Sequence, residues 1–151
     1  MPTRSVVLTT LLAAAAGLLA GGCPDLGAFV PGMNAVTVEI VNDTEFAVDP
    51  NIRFDDDSGF FASLVPADTL DTGLIEPGEI VTYEFDCDEL GLIRSEDPEQ
   101  VTVLFGDYVG DSSDTLEREK EYDCGDVIRF RYVGNAVDFG VIVSVNGRIV
   151  D

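Results

Sequence analysis

No histidine and no tryptophan occurs in the 151 residues, and Lys120 is the single lysine. Without imidazole there is no Ser-His-Asp or Cys-His nucleophilic device, no histidine-held zinc, and no side chain that titrates near neutrality at its ordinary pKa. Positive charge is scarce, with 8 Lys+Arg against 29 Asp+Glu and a formal net charge of −21. That balance argues against nucleic acid as a partner, because such affinity comes from neutralising phosphates. It makes an anionic lipid headgroup equally unattractive. Cysteine is rare and odd in number, three in all, which in an exported protein leaves one thiol over. Long apolar runs are missing too, save one near the start.

That run is Val6 to Leu19, preceded by a short segment with one positive charge, Arg4, and followed by Ala20-Gly21-Gly22-Cys23. It is too short and too closely bounded by small residues for a stable membrane span, and reads as a secretory signal. The ending Leu19-Ala20-Gly21-Gly22-Cys23 resembles the lipobox of bacterial lipoproteins, with Ala20 standing where leucine is commonest. The resemblance covers the signal and anchor alone. It implies that residues 1 to 22 are removed, that Cys23 is lipidated on its sulfur and becomes the first mature residue, and that the protein is held by acyl chains on the extracytoplasmic side of a bacterial envelope membrane. Several chains hold a protein firmly, where one holds it only marginally. The alternative is an ordinary secretory signal that leaves Cys23 a free thiol.

Removing residues 1 to 22 leaves 129 of the 151 residues, with 7 Lys+Arg against 29 Asp+Glu, a formal −22. The length suits one domain with a real core. Pro24 to Asn34 mixes proline, glycine and a few apolar residues without periodicity, so residues 23 to 34 read as a short lipid-anchored tether. The domain is expected at 35 to 151.

From Ala35 onward the pattern is period two. Val36, Val38 and Ile40 share one strand face; Val81, Tyr83 and Phe85 another; Ile128, Phe130 and Tyr132 a third, with Arg129 and Arg131 pointing outward. Val101, Val103 and Phe105 fall in phase, as do Val137, Phe139, Val141, Val143 and Val145. A strand within Phe46 to Phe54 is interrupted at Asp49-Pro50, since proline marks an edge or a bend. Phe60 to Val65 reads as a short strand, Pro66 to Thr72 as loop, Glu89 to Ile93 as strand or helical turn, and Thr115 to Glu121 as a solvated strand. Glu76-Pro77-Gly78-Glu79 is a turn, proline presetting its second position and glycine its third. Asn146-Gly147 predicts a type I′ hairpin that pairs Val143 with Val150 and Ser144 with Ile149. Seven to nine short strands without a convincing helix predict a single antiparallel β-sandwich of Ig-like architecture, all-β, with a small barrel as runner-up.

With Cys23 taken by lipid, Cys87 and Cys124 remain as a pair in an oxidising compartment, and one disulfide is expected. Their surroundings echo each other, Glu84 to Leu90 (EFDCDEL) against Glu121 to Val127 (EYDCGDV), and counting by twos places both cysteines on core faces, Cys124 on condition that Gly125 does not bulge. A redox pair is disfavoured, because neighbouring acids raise a thiol's pKa and suppress the reactive thiolate.

Three constellations could carry chemistry. Asp55-Asp56-Asp57-Ser58-Gly59 offers Asp55 and Asp57 as calcium ligands, although its glycine stands fifth rather than the sixth of an EF-hand loop; the alternative is a solvated acidic turn. Asp107, Asp111 and Asp114 form a looser cluster. Arg129 and Arg131 are explained by cross-strand pairing with acids such as Glu84 and Asp86, or else by an acidic-ligand site. A glycosidase needs only two carboxylates, but nothing here singles out a pair. The sequence therefore points to a non-catalytic binding or structural module of the envelope with no cofactor. A calcium-dependent glycan- or protein-binding module is the competitor, and a small carboxylate-based hydrolase is a weaker one.

Overall fold

The computed structural model describes residues 34–56, 68–101 and 108–151. The described chain is mostly β, with a single 3₁₀ turn at Cys87–Glu89 and no α-helix. Twelve short strands are described. They are β1 (Ala35–Asn42), β2 (Ala47–Asp49), β3 (Ile52–Asp55), β4 (Asp68–Leu70), β5 (Ile80–Asp86), β6 (Leu92–Ser95), β7 (Glu99–Val101), β8 (Tyr108–Val109), β9 (Leu116–Glu117), β10 (Val127–Gly134), β11 (Phe139–Val145) and β12 (Arg148–Ile149). They form three sheets, ordered β12-β11-β10-β1-β5, β2-β7-β8 and β4-β3-β6-β9.

Alternation produces the largest sheet. Val36, Val38 and Ile40 of β1, Ile128, Phe130 and Tyr132 of β10, and Val143 of β11 are all fully buried. Together with Val48, Ile52, Ile75, Leu90, Ile93 and Leu116 from the rest of the chain they make one apolar cluster. Burying such side chains contributes roughly 1.5–3 kcal/mol each against the cost of ordering the chain.

The sheet is mixed rather than wholly antiparallel. β1 lies parallel to β10, from Thr37 opposite Val127 to Asn42 opposite Tyr132, and antiparallel to β5. Parallel neighbours need a crossover, which the whole chain between Asn42 and Val127 supplies while building the two smaller sheets. The barrel that stood as runner-up is not formed among the described residues, since the three sheets are separate and none closes on itself. The strand count exceeds seven to nine in part because Asp49-Pro50 divides one expected strand into β2 and β3, which join different sheets, and because Asp68–Leu70 adds a strand where loop was expected.

Both designed turns form as expected. Glu79 donates its N–H to the Glu76 carbonyl at 3.0 Å, with Gly78 at φ 79°. Asn146 and Gly147 have φ of 49° and 79°, and Ser144 pairs with Ile149 while Val150 donates to the Val143 carbonyl at 2.9 Å. Glu89 to Ile93 splits between the end of the 3₁₀ turn and the start of β6, and Thr115 to Glu121 holds the short β9 followed by a tight turn, with Glu119 at φ 67°.

Three expectations fail for identifiable reasons. Asp68–Leu70 is a strand, not loop, because it pairs with β3. Val137 is 79% exposed: the Asn135 side chain accepts from Val137 N–H at 2.9 Å and turns the chain before β11 begins. In β7 the inward residue is Gln100, fully buried, while Val101 is only half-buried. Gln100 sits directly opposite the buried Val48 of β2, and directly opposed residues share a face. Phe60 to Val65, Val103 and Phe105 lie outside the described residues.

Candidate functional site

Cys87 follows β5 and is buried, whereas Cys124 is exposed. The phase that would have turned Cys124 inward is lost at Gly125, which has φ 91° within a turn closed by Asp126 N–H to the Asp123 carbonyl at 3.1 Å. The two are nevertheless bonded, with Cα atoms 5.8 Å apart. Their echoing surroundings are not a structural repeat, since Glu84 to Asp86 ends a strand and Glu121 to Asp126 is a turn leading into one. Nearby the buried Tyr122 hydroxyl donates to the Leu90 carbonyl at 3.0 Å. Cys23 lies outside the described residues.

Arg129 and Arg131 do not reach Glu84 or Asp86, because β1 lies between their strand and β5. They pair instead across the parallel β1–β10 seam and just beyond it. Arg129 Nε donates to Glu39 Oε2 at 2.7 Å, and Arg131 binds Asp43. Such exposed pairs are worth about 0–1 kcal/mol each, and they account for both arginines without a ligand.

Asp55 ends β3 and lines a recess of about 490 Å³. Asp57 and Asp107 lie outside the described residues. Asp111 and Asp114 are in the loop before β9, where the Asp114 N–H donates to Asp151 Oδ2 at 2.6 Å. Among the described residues no three carboxylates or thiols stand together closely enough to hold a metal ion.

What the fold does assemble is an acidic flank where β3 packs against the edge strand β5, with Asp68 of β4 beside them. Phe54 of β3 and Phe85 of β5 meet edge to face with ring centroids 5.1 Å apart. Both line the 490 Å³ recess together with Asp55, Asp56, Asp68, Asp88 and Glu89. A second recess of about 420 Å³ follows β4, with Asp49, Asp71, Asp97 and Glu99 among its lining residues. Among the described residues neither is lined by Lys or Arg. Burial, and secondarily the Asp71 carboxylate, raise the Tyr83 phenol of β5 above its ordinary value. Asp49 faces Glu99 directly across β2 and β7, a like-charge pairing that costs stability. Carboxylates beside aromatic rings attract cations. Of this flank the sequence singled out Asp55 and Asp56, in the acidic run that begins at Asp55; Asp68, Asp88 and Glu89 did not stand out in a chain so rich in acids, and the run Asp86-Cys87-Asp88-Glu89 is their one local signal.

No protein-family model and no curated protein matches the chain. Among solved structures it is similar to listeriolysin O, with a TM-score of 0.51, 10% identity, and coverage of 74% of this chain and 22% of that one. It is also similar to wild-type pneumolysin, with a TM-score of 0.50, 7% identity, and coverage of 74% and 23%. The chain thus spans less than a quarter of the length of either, and at these identities the likeness concerns the fold alone.

Proposed function

We propose that the protein is a lipid-anchored bacterial lipoprotein whose domain, residues 35 to 151, is a disulfide-stapled β-sandwich serving as a non-catalytic binding or structural module of the cell envelope. In this reading residues 1 to 22 are the signal, Cys23 carries the lipid, and residues 23 to 34 are the tether. The observation that carries it is the Cys87–Cys124 bond. Of three cysteines it leaves one, Cys23, at the position where a lipobox requires it, and a structural disulfide fits an oxidising compartment. The sandwich reading is supported by the single apolar cluster that draws on all of the larger strands. The binding reading is supported by the acidic flank, whose two recesses are lined by several carboxylates and, among the described residues, by no Lys or Arg.

The test is fractionation of bacterial cells expressing the full chain or its Cys23→Ser variant. The native chain is expected in the membrane pellet after a high-salt wash and in the detergent extract. The variant is expected to lose that partition. Equal partition of the two would overturn the anchor.

A further inference from the structure

Among the described residues β5 stands at the end of its sheet and pairs with β1 on one side only. The direction of its free hydrogen-bonding groups follows from the two ends of the ladder. Asn42 N–H donates to the Glu79 carbonyl at 3.1 Å, and Cys87 N–H to the Asn34 carbonyl at 3.0 Å. Hydrogen-bonded pairs recur at every second residue of an antiparallel ladder, so Val81, Tyr83 and Phe85 exchange bonds with Ile40, Val38 and Val36. The N–H and C=O groups of Thr82, Glu84 and Asp86 therefore point away from β1, toward the open edge.

Sheet edges are ordinarily blunted by shortness, proline, lysine or a bulge. β5 has none of these. It is seven residues long, the joint longest after β1 and β10, and its register with β1 is unbroken from Ile80 to Asp86. The other edge of the sheet, β12, is two residues long. What guards β5 is charge of one sign. Thr82, Glu84 and Asp86 are all exposed, and the exposed Asp88 and Glu89 follow.

We propose that the β5 edge accepts an extended, cationic segment of a partner protein as an added strand, with Lys or Arg at alternate positions opposite Thr82, Glu84 and Asp86. Backbone bonds supply the grip and the carboxylates select the sign of the partner, as in other cases of strand addition. Charge also decides against a second copy of this chain, whose own β5 would set carboxylate against carboxylate in a molecule that already carries a large negative charge. The proposal deepens the binding-module reading and is independent of the anchor. A failure here leaves Cys23 lipidation standing, and a soluble, unlipidated chain leaves this edge intact.

The probe is a nine-residue blocked peptide alternating Lys and Val, added to the isotopically labelled full chain in detergent. A second peptide of the same sequence, N-methylated at alternate residues to remove one edge of donors, is the control. The expected result is that the amides of Thr82, Glu84 and Asp86 shift and gain protection from exchange with the first peptide only. The double variant E84K/D86K should weaken binding by about tenfold or more. Thr82→Pro, which removes a donor that β1 does not use, should abolish it; the N-methylated peptide tests the same point with the protein unaltered. Absence of binding, equal binding of both peptides, or shifts confined to other strands would each overturn the proposal.

Discussion

Asn42 does at the end of β1 what no apolar residue could. Fully buried, its side-chain amide donates to the carbonyls of Phe46 at 2.7 Å and Ile75 at 2.8 Å, while its oxygen accepts from the Thr44 N–H and hydroxyl at 2.9 and 2.7 Å. Its removal strands several buried groups, each costing about 1–3 kcal/mol. Asn42→Ala should therefore lower stability by about 3 kcal/mol or more, read as a fall in the urea midpoint at unchanged slope. Tyr132 is the other buried polar anchor, its hydroxyl 2.8 Å from Ser95 Oγ and 3.1 Å from the Pro50 carbonyl. Burial first, and the Asp49 charge after it, raise its phenol above the ordinary value against the opposing hydrogen bond from Ser95. A raised pKa means that the folded state holds its proton more tightly than the unfolded chain. The stability this gives is fully present below about pH 10 and is lost as pH climbs beyond it. Tyr132→Phe should cost about 1–2 kcal/mol at neutral pH and flatten the fall in melting temperature above pH 10, with Tyr83 left to supply a residue of it. Tyr132 was legible as an inward position, because three alternating large residues announce a face. Asn42 was legible only as a strand terminator, since nothing in Asn-Asp distinguishes a solvated stop from a buried knot.

At the scale of elements, turns carry the information that strands lack. Gly147 has φ 79° and open space around the position of a Cβ, whereas at Gly134, φ 119°, a Cβ would lie 2.0 Å from the Asp138 carbonyl oxygen. Gly147→Ala should then cost about 1 kcal/mol, the strain of a left-handed residue alone. Gly134→Ala should cost clearly more, about 3 kcal/mol, because backbone must move. Thermal melts of the two variants check the order, which would be reversed or equal if the β10–β11 turn were loosely held. The faces of β1, β5, β10 and β11 could be read from alternation, and the Asn146-Gly147 register followed from the stereochemistry of its turn. Sheet order could not. Alternation says which side of a strand is buried, but not which strand lies beside it or in which direction it runs. For that reason the parallel β1–β10 seam, and with it the Glu39 and Asp43 partners of Arg129 and Arg131, had no signature in the pattern. Cys124 shows the same limit, since one glycine in the left-handed region was enough to break the count by twos.

For the molecule as a whole, the disulfide and the charge act together. Closing 37 residues of chain between Cys87 and Cys124 stabilises by roughly 4 kcal/mol in the loop-entropy account, comparable to the net stability of a small domain. The double variant C87S/C124S should therefore melt well below the native chain at neutral pH, and an unchanged melting temperature would remove the staple from the account. The acidic flank around β3 and β5 is a product of folding. Its acids come from β2, β3, β4, the 3₁₀ turn and the start of β7, and only the sheet order collects them. The charge that made nucleic acid an improbable partner thus becomes, once folded, a directional feature beside an open strand edge.

Lipidation at Cys23 is open to one decisive experiment, the intact mass of the natively expressed chain, extracted from membranes and measured before and after reduction and alkylation. The expected result is cleavage before Cys23, the added mass of acyl chains, and two cysteines that label only after reduction. An unlipidated chain, with a thiol that labels at Cys23 without reduction, would contradict it.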